Sequence, residues 1–157
     1  MAKSDRIFLD AGVFIGAIML GDPRGHEAFP IVESARRGVV ATCTSVGVLS
    51  EVYAALTWSG ATTPHTPEEA ARSVAELVEQ PSAIEVLPDG LEVGVRHLKI
   101  AASHGLTARR IHDARHAATA LHNEVTHVYT YDPADWSDFL SDGIAIVGPP
   151  SVMPQTS

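Results

Sequence analysis

Residues 113–136, DARHAATALHNEVTHVYTYDPADW, contain a helical pattern followed directly by a strand pattern. Apolar residues at helical spacing predict a helix over about 109–123, and the β-type run at 125–130 predicts a strand after it. Asp132 stands two residues beyond that strand, in the turn Asp-Pro-Ala-Asp. A helix that leads into a buried strand is typical of an α/β protein, in which functional residues follow the strands.

The rest of the chain repeats this alternation, with turn residues between the elements. Strands are predicted at 6–9, 39–42, 83–87 and 144–147, and helices at 11–20, 25–37, 45–58, 66–80 and 89–104. Alternating strands and helices predict a mostly parallel sheet that is covered on both sides. We expect one domain at residues 1–148 and a disordered tail at 149–157.

The composition limits the class of protein. With 157 residues, 45% of them hydrophobic, the chain is long enough for a single domain with its own core. The apolar run at 7–20 contains Asp10 and is too short to span a bilayer, so we expect neither a membrane segment nor a secretory signal. Cys43 is the single cysteine and cannot close an intramolecular disulfide, which suits a reducing cytoplasm. We therefore expect a cytoplasmic protein.

The net charge of −8 excludes a uniformly basic nucleic-acid-binding protein. Basic residues are nevertheless concentrated locally, because five of the eleven lie within 96–115. Arg109, Arg110 and Arg115 are therefore candidates for contact with a phosphate backbone. The alternative is a solvated helix face with no such role.

Four acids are placed where a site is expected. Asp10 follows the strand at 6–9 and Asp132 follows the strand at 125–130, so both lie at the carboxyl edge of the predicted sheet. At 100° per residue, Glu51 and Asp113 each lie at the border of their helix's apolar arc, where a side chain can face a cleft. Asp113 also lies in the first turn of its helix, where the helix dipole favours a negative charge.

Taken singly, each acid has an ordinary explanation as a turn residue, a solvated helix residue or a first-turn charge. Taken together, they indicate a cation site, because clustered carboxylates repel one another unless a cation lies among them. Ligands that are all oxygen favour hard ions such as Mg²⁺ or Mn²⁺. Such an ion suits phosphodiester hydrolysis, since it activates water and neutralises phosphate oxygens.

Four segments resemble the PIN-domain ribonucleases, and most closely the VapC-type toxins of bacterial toxin–antitoxin pairs. These segments are FLDA at 8–11, SEV at 50–52, DARHAATAL at 113–121 and VYTYDPADW at 128–136. The resemblance covers about residues 6–147, which is nearly the whole chain.

The resemblance implies a three-layer α/β/α PIN-like fold and an endoribonuclease that cleaves single-stranded RNA with Mg²⁺ or Mn²⁺. It also implies a small cognate antitoxin that inserts into the cleft, and we expect a homodimer. Carried over by motif, Asp10, Glu51 and Asp113 are the acidic triad, with Asp132 as the fourth acid. Thr130 is the accessory polar residue beside the metal. Asp10 and Asp113 are the expected metal ligands, and the three arginines become candidates for RNA binding.

The sequence departs from the family pattern at two places. Gly12 stands where the family often has Asn, Ser or Thr, so one auxiliary hydrogen bond is expected to be missing. In the last motif we favour Asp132 as the fourth acid, with Asp135 as the alternative. Asp135 has a second interpretation, as the cap of a short helix that starts at Trp136.

Two other functions remain open. His112 and His116 have the i, i+4 spacing of a zinc hydrolase helix, with Asp113 where the base Glu would stand. The alternative for both histidines is a solvent-facing position beside the cleft. The second alternative is a PIN-like module that binds RNA or protein without catalysis. Such a module would be expected to have lost some of the four acids.

Overall fold

The computed structural model describes residues 5–154, and a five-stranded sheet forms its centre. The strands are β1 (Ile7–Leu9), β2 (Thr42–Thr44), β3 (Glu85–Val86), β4 (His127–Tyr129) and β5 (Ala145–Gly148). They lie in the order β3-β2-β1-β4-β5, and every neighbouring pair is parallel. The α-helices of the described residues are α1 (Ala11–Ile18), α2 (Gly25–Arg36), α3 (Val46–Thr57), α4 (Pro67–Val78), α5 (Leu91–Ser103), α6 (Ile111–His122) and α7 (Pro133–Trp136). Within these residues, no helix has both the length and the apolar composition needed to cross a bilayer.

Packing on both faces of the sheet confirms the predicted α/β architecture. Successive side chains of a strand point to opposite faces, and Phe8 and Leu9 of β1 are 0% and 1% exposed. Ile7 pairs with Thr42 of β2 and with His127 of β4, so β1 is the central strand. The chain therefore leaves the middle of the sheet at Asp10.

Side-chain caps start the helices that surround this edge. Asp10 Oδ1 accepts a hydrogen bond of 2.9 Å from the backbone N–H of Ala11, at the first residue of α1. Ser45 caps α3 in the same way, by accepting a hydrogen bond of 3.1 Å from the N–H of Val48. The caps fix the directions in which α1 and α3 leave the sheet edge.

The second strand begins later than the predicted range of 39–42. Gly38 has a φ of +73°, and the N–H groups of Gly38 and Val39 donate to carbonyls at the end of α2. Because these donors complete the helix, they cannot join the sheet. Val39 and Val40 are consequently exposed, and pairing with β1 starts at Thr42.

The expected disorder beyond residue 148 is wrong for the residues that the structure describes. Pro150–Val152 form a 3₁₀ helix, and the N–H and hydroxyl of Ser151 donate to the carboxylate of Glu27 on α2 at 3.0 and 2.6 Å. The Tyr131 hydroxyl donates to the same carboxylate at 2.8 Å. A hydrogen-bond acceptor on α2 thus holds this segment in place, which composition alone does not reveal. Residues 155–157 of the predicted tail lie outside the described residues.

Candidate active site

Asp10 is the most enclosed acid of the candidate site, with 6% of its surface exposed. Its Oδ2 accepts hydrogen bonds from the Thr130 hydroxyl at 2.7 Å and from the Trp136 indole N–H at 2.9 Å. Together with the bond from Ala11 to Oδ1, these donors hold the carboxylate in one orientation. Asp10 is therefore a preorganised acid at the centre of the sheet edge.

Thr130 and Trp136 connect Asp10 to the last motif of the site. The Thr130 hydroxyl donates to Asp10 and accepts a hydrogen bond of 3.0 Å from the N–H of Asp132. This geometry supports the accessory role that the resemblance implies for Thr130. The sequence does not single out Trp136, because its indole reaches Asp10 only after α7 has folded beside β1.

Glu51 on α3 faces a buried histidine of α6. Its Oε1 lies 2.7 Å from His116 Nε2, and His116 is 5% exposed. Gly47 permits this approach, since a Cβ there would lie 3.2 Å from His116 Cε1. The solvent-facing position expected for His116 is therefore wrong, whereas His112 is exposed. A helical wheel considers one helix alone, so it does not predict that a neighbouring helix will bury a side chain.

The pKa of His116 reflects this contact. Burial lowers its pKa, but the hydrogen bond to Glu51 and the charges of Glu51 and Asp10 raise it more, so the net pKa lies above the ordinary histidine value. The imidazole therefore takes up a proton more readily than an ordinary histidine does.

Asp113 gives the clearest electrostatic sign of an acidic cluster. It lies in the first turn of α6, and its side chain is 30% exposed. Burial, followed by the charges of Asp135 and Asp10, raises the pKa of Asp113 to about 6, against the opposing charges of Arg110 and His116. Neighbouring carboxylates make the charged form of Asp113 less stable, and a bound cation would offset this effect.

Replacement of Asp113 by Asn is expected to stabilise the metal-free protein above about pH 6. The folded-state pKa lies above the ordinary value of 3.8, so ionisation of Asp113 lowers stability as the pH rises from about 4 to about 6. Because the side chain is 30% exposed, solvent screens part of this penalty, and the expected gain on replacement by Asn is about 1 kcal/mol.

Thermal unfolding of EDTA-treated protein measures this effect. The Tm of Asp113→Asn is expected to exceed that of the wild type by about 2–4 °C above about pH 6, and to equal it near pH 4. Glu68→Gln is the matched control, because Glu68 is an exposed acid in the first turn of α4. A Tm that falls for Asp113→Asn above pH 6 would show that the carboxylate supports the fold.

Asp132 and Asp135 both lie close enough to the other acids to interact with them electrostatically. Burial, followed by the charge of Asp10, raises the pKa of Asp132. Asp135 is instead the neighbouring charge with the largest effect on the pKa of Asp113. Asp135 lies inside α7, and its N–H donates to the carbonyl of Asp132, so the alternative of a cap before Trp136 is wrong. Either aspartate can still act as the fourth acid, and Asp132 is the one linked through Thr130 to Asp10.

The candidate RNA-binding arginines lie beside this cluster, and two of them form ion pairs. Arg110 pairs with Asp138, and Arg115 donates to Asp89 at 2.9 Å. Arg109 is exposed. Arg115 also borders a cavity of about 300 Å³ next to the acids. The residues that line this cavity are Gly47, Ser50, Glu51, Ala54, His112, Arg115 and His116.

The donor set fits a divalent cation. Asp10, Glu51 and His116 each offer one ligand atom, and these three atoms lie within 4.8 Å of one another. Asp113 and Asp132 add two further carboxylates, and burial, together with the charges of neighbouring acids that include Asp10, raises the pKa of each. Carboxylates suit Mg²⁺ and Mn²⁺, and an imidazole ligand favours transition metals. The expected ligand pair, Asp10 and Asp113, stays a prediction.

Comparison with known proteins identifies the family. The chain is similar in structure to the sarcin–ricin loop-cleaving toxin VapC20 of Mycobacterium tuberculosis, with a TM-score of 0.65 and 20% sequence identity. The match covers 91% of this chain and 99% of that chain. At this identity the likeness establishes the fold. No curated protein matches the sequence significantly. The family model of the PIN domain matches residues 7–138, which is most of the chain, and the protein therefore belongs to the PIN domain family.

Proposed function

We propose that this protein is a divalent-metal-dependent endoribonuclease that cleaves single-stranded RNA and acts as the toxin of a toxin–antitoxin pair. The observation that carries the proposal is the convergence of Asp10 and Glu51, whose carboxylates lie with His116 within 4.8 Å of one another, beside Asp113, whose pKa is raised by burial and by the charges of Asp135 and Asp10. Carboxylates that repel one another at the carboxyl edge of a parallel sheet are suited to hold a cation against a phosphate. The fold shared with VapC20, a toxin that cleaves the sarcin–ricin loop, supports RNA as the substrate class.

Asp10 and Asp113 would hold the ion, with Glu51 and Asp132 at its border, and we propose Mg²⁺ or Mn²⁺ as the physiological metal. When bound, such an ion supplies Lewis-acid activation of water and neutralises the phosphate oxygens. Carboxylates that remain unligated can accept a proton from the attacking water, for which a pKa near the working pH is favourable.

The remaining residues of the site position these acids. Thr130 and Trp136 orient Asp10, and His116 orients Glu51 through the contact at 2.7 Å. Arg109, Arg110 and Arg115 would contact the RNA backbone on the α6 side of the site. For Arg110 and Arg115 this requires exchange of their present partners, Asp138 and Asp89, for phosphate.

Exposed apolar residues on α5 support the proposal that this chain binds other proteins. On α5, Leu91, Val95 and Leu98 are spaced at i, i+4 and i+7, and are 84%, 44% and 58% exposed. A continuous apolar face of this kind marks a contact surface. We propose that a homodimer and a small cognate antitoxin account for the protein contacts, and that the protein acts in the cytoplasm.

Induced expression in a bacterial host tests the proposed function. Wild-type protein is expected to arrest growth and to produce discrete RNA fragments, because its activity is then unrestrained. Asp10→Ala is expected to lift the arrest and remove the fragments, whereas Glu68→Gln is expected to behave as the wild type. If the wild type and Asp10→Ala arrest growth equally at equal soluble expression, the toxicity does not depend on the acidic site.

A further inference from the structure

The guanidinium of Arg24 occupies space that a side chain at residue 12 would need. A Cβ at Gly12 would lie 3.0 Å from Arg24 Nη1 and 3.4 Å from the Cβ of Tyr131. Gly12 is the second residue of α1 and comes two residues after Asp10. The auxiliary polar residue expected there is therefore replaced by a positive charge that reaches in from the start of α2.

Two neighbours hold this guanidinium in place. Asp22 accepts hydrogen bonds from Arg24 Nε at 2.9 Å and from Nη2 at 2.7 Å. The ring of Tyr131 lies 5.5 Å from the guanidinium carbon, within reach of a cation–π contact. Among the described residues, no hydrogen bond is formed by the third nitrogen, Nη1, which is the one beside Gly12. Arg24 therefore presents one donor nitrogen in a fixed position.

The charge of Arg24 acts on the acidic site. It lowers the pKa of Asp132, against the larger raising effects of burial and of Asp10 and Asp135. Its side chain is 33% exposed, so a ligand can reach it from solvent. A phosphate that approaches several carboxylates is repelled by them, and a fixed guanidinium at their border offsets that repulsion.

We infer that Arg24 is a substrate-binding residue, which donates from Nη1 to a non-bridging oxygen of an RNA phosphate at the acidic site. The inference rests on the proposed function, and it adds a contact at the start of α2 that is distinct from Arg109, Arg110 and Arg115. Asp22 acts as the positioning residue, because its two hydrogen bonds set the direction of the free nitrogen.

Binding of a fluorescein-labelled single-stranded RNA over a range of salt concentrations tests this contact. The parent protein carries Asp113→Asn, so that the RNA stays intact. Arg24→Gln is expected to raise Kd roughly tenfold or more, and to lower the log–log salt slope by about 1. Arg37→Gln is the matched control, because it removes the same charge from an exposed position just beyond the other end of α2. It is expected to leave the slope unchanged.

Gly12→Ala provides a second variant that keeps Arg24. Its added Cβ would displace Nη1, so Kd is expected to rise, and adding Arg24→Gln to it is expected to have little further effect. If Arg24→Gln and Arg37→Gln bind RNA with the same Kd and slope, the inference is wrong and Arg24 only balances the charge of Asp132. If the parent does not bind RNA at all, the proposed function fails as well.

Discussion

Removal of divalent cations is expected to abolish RNA cleavage by this protein, and addition of Mg²⁺ or Mn²⁺ is expected to restore it. Ser50, which lines the cavity beside the acids, donates its hydroxyl proton to the carbonyl of Val46, and Cys43 is buried in the sheet, so hydrolysis is expected to depend on an activated water. Without a cation, the neighbouring carboxylates, whose charges add to burial in raising the pKa of Asp113, also repel the phosphate backbone.

The experiment compares RNA cleavage by EDTA-treated protein after return of Mg²⁺, Mn²⁺ or Zn²⁺. Cleavage in EDTA is expected to equal that of a sample without protein, and the thermal unfolding of the same sample shows whether the protein is still folded. Restoration by Zn²⁺ alone would favour the zinc hydrolase that uses His112 and His116. Full cleavage in excess EDTA would contradict a metal-dependent mechanism altogether.

The positions of two acids could be predicted because they depend on topology. Asp10 and Asp132 follow strands, and parallel strands place their carboxyl ends at one edge whatever the detailed packing. Glu51 and Asp113 were reachable from the sequence because a helical wheel places a side chain relative to the apolar face of its own helix. Their partial exposure, 45% and 30% of the side chain, agrees with the predicted border positions.

The contacts around these acids could not be predicted because they join elements that are distant in the sequence. His116 lies outside the apolar arc of α6, and it is buried because Glu51 and Gly47 of α3 and Phe8 of β1 pack against it. Likewise, Trp136 donates to Asp10 across 126 positions of the chain. Such contacts require knowledge of how helices pack on the sheet, which periodicity does not supply.

At Gly12 the structure shows a consequence that differs from the one predicted from the sequence. The sequence indicates a missing polar side chain, and a missing hydrogen bond is the simplest consequence. In the folded chain the same absence leaves room for Arg24, whose Nη1 would lie 3.0 Å from a Cβ at that position. A charged side chain from another element can therefore fill the place of a polar side chain that the motif lacks.

Single-turnover cleavage of a single-stranded RNA by Asp10→Asn and Asp113→Asn, in saturating Mg²⁺ or Mn²⁺, measures the role of the acidic site most directly. Each substitution removes an expected metal ligand and its charge, and each is expected to lower the rate by more than about a hundredfold. Asp10→Asn also disturbs the hydrogen bonds from Thr130 and Trp136, so a loss of stability could accompany its loss of activity.

Asp113→Asn separates the two effects, because it is expected to leave the metal-free fold at least as stable as the wild type. Glu68→Gln serves again as the exposed control and is expected to cleave at the wild-type rate. The predicted result is a folded Asp113→Asn protein whose cleavage rate falls more than about a hundredfold. A folded Asp113→Asn protein that cleaves RNA at the wild-type rate would contradict the assignment of this acidic cluster as the active site.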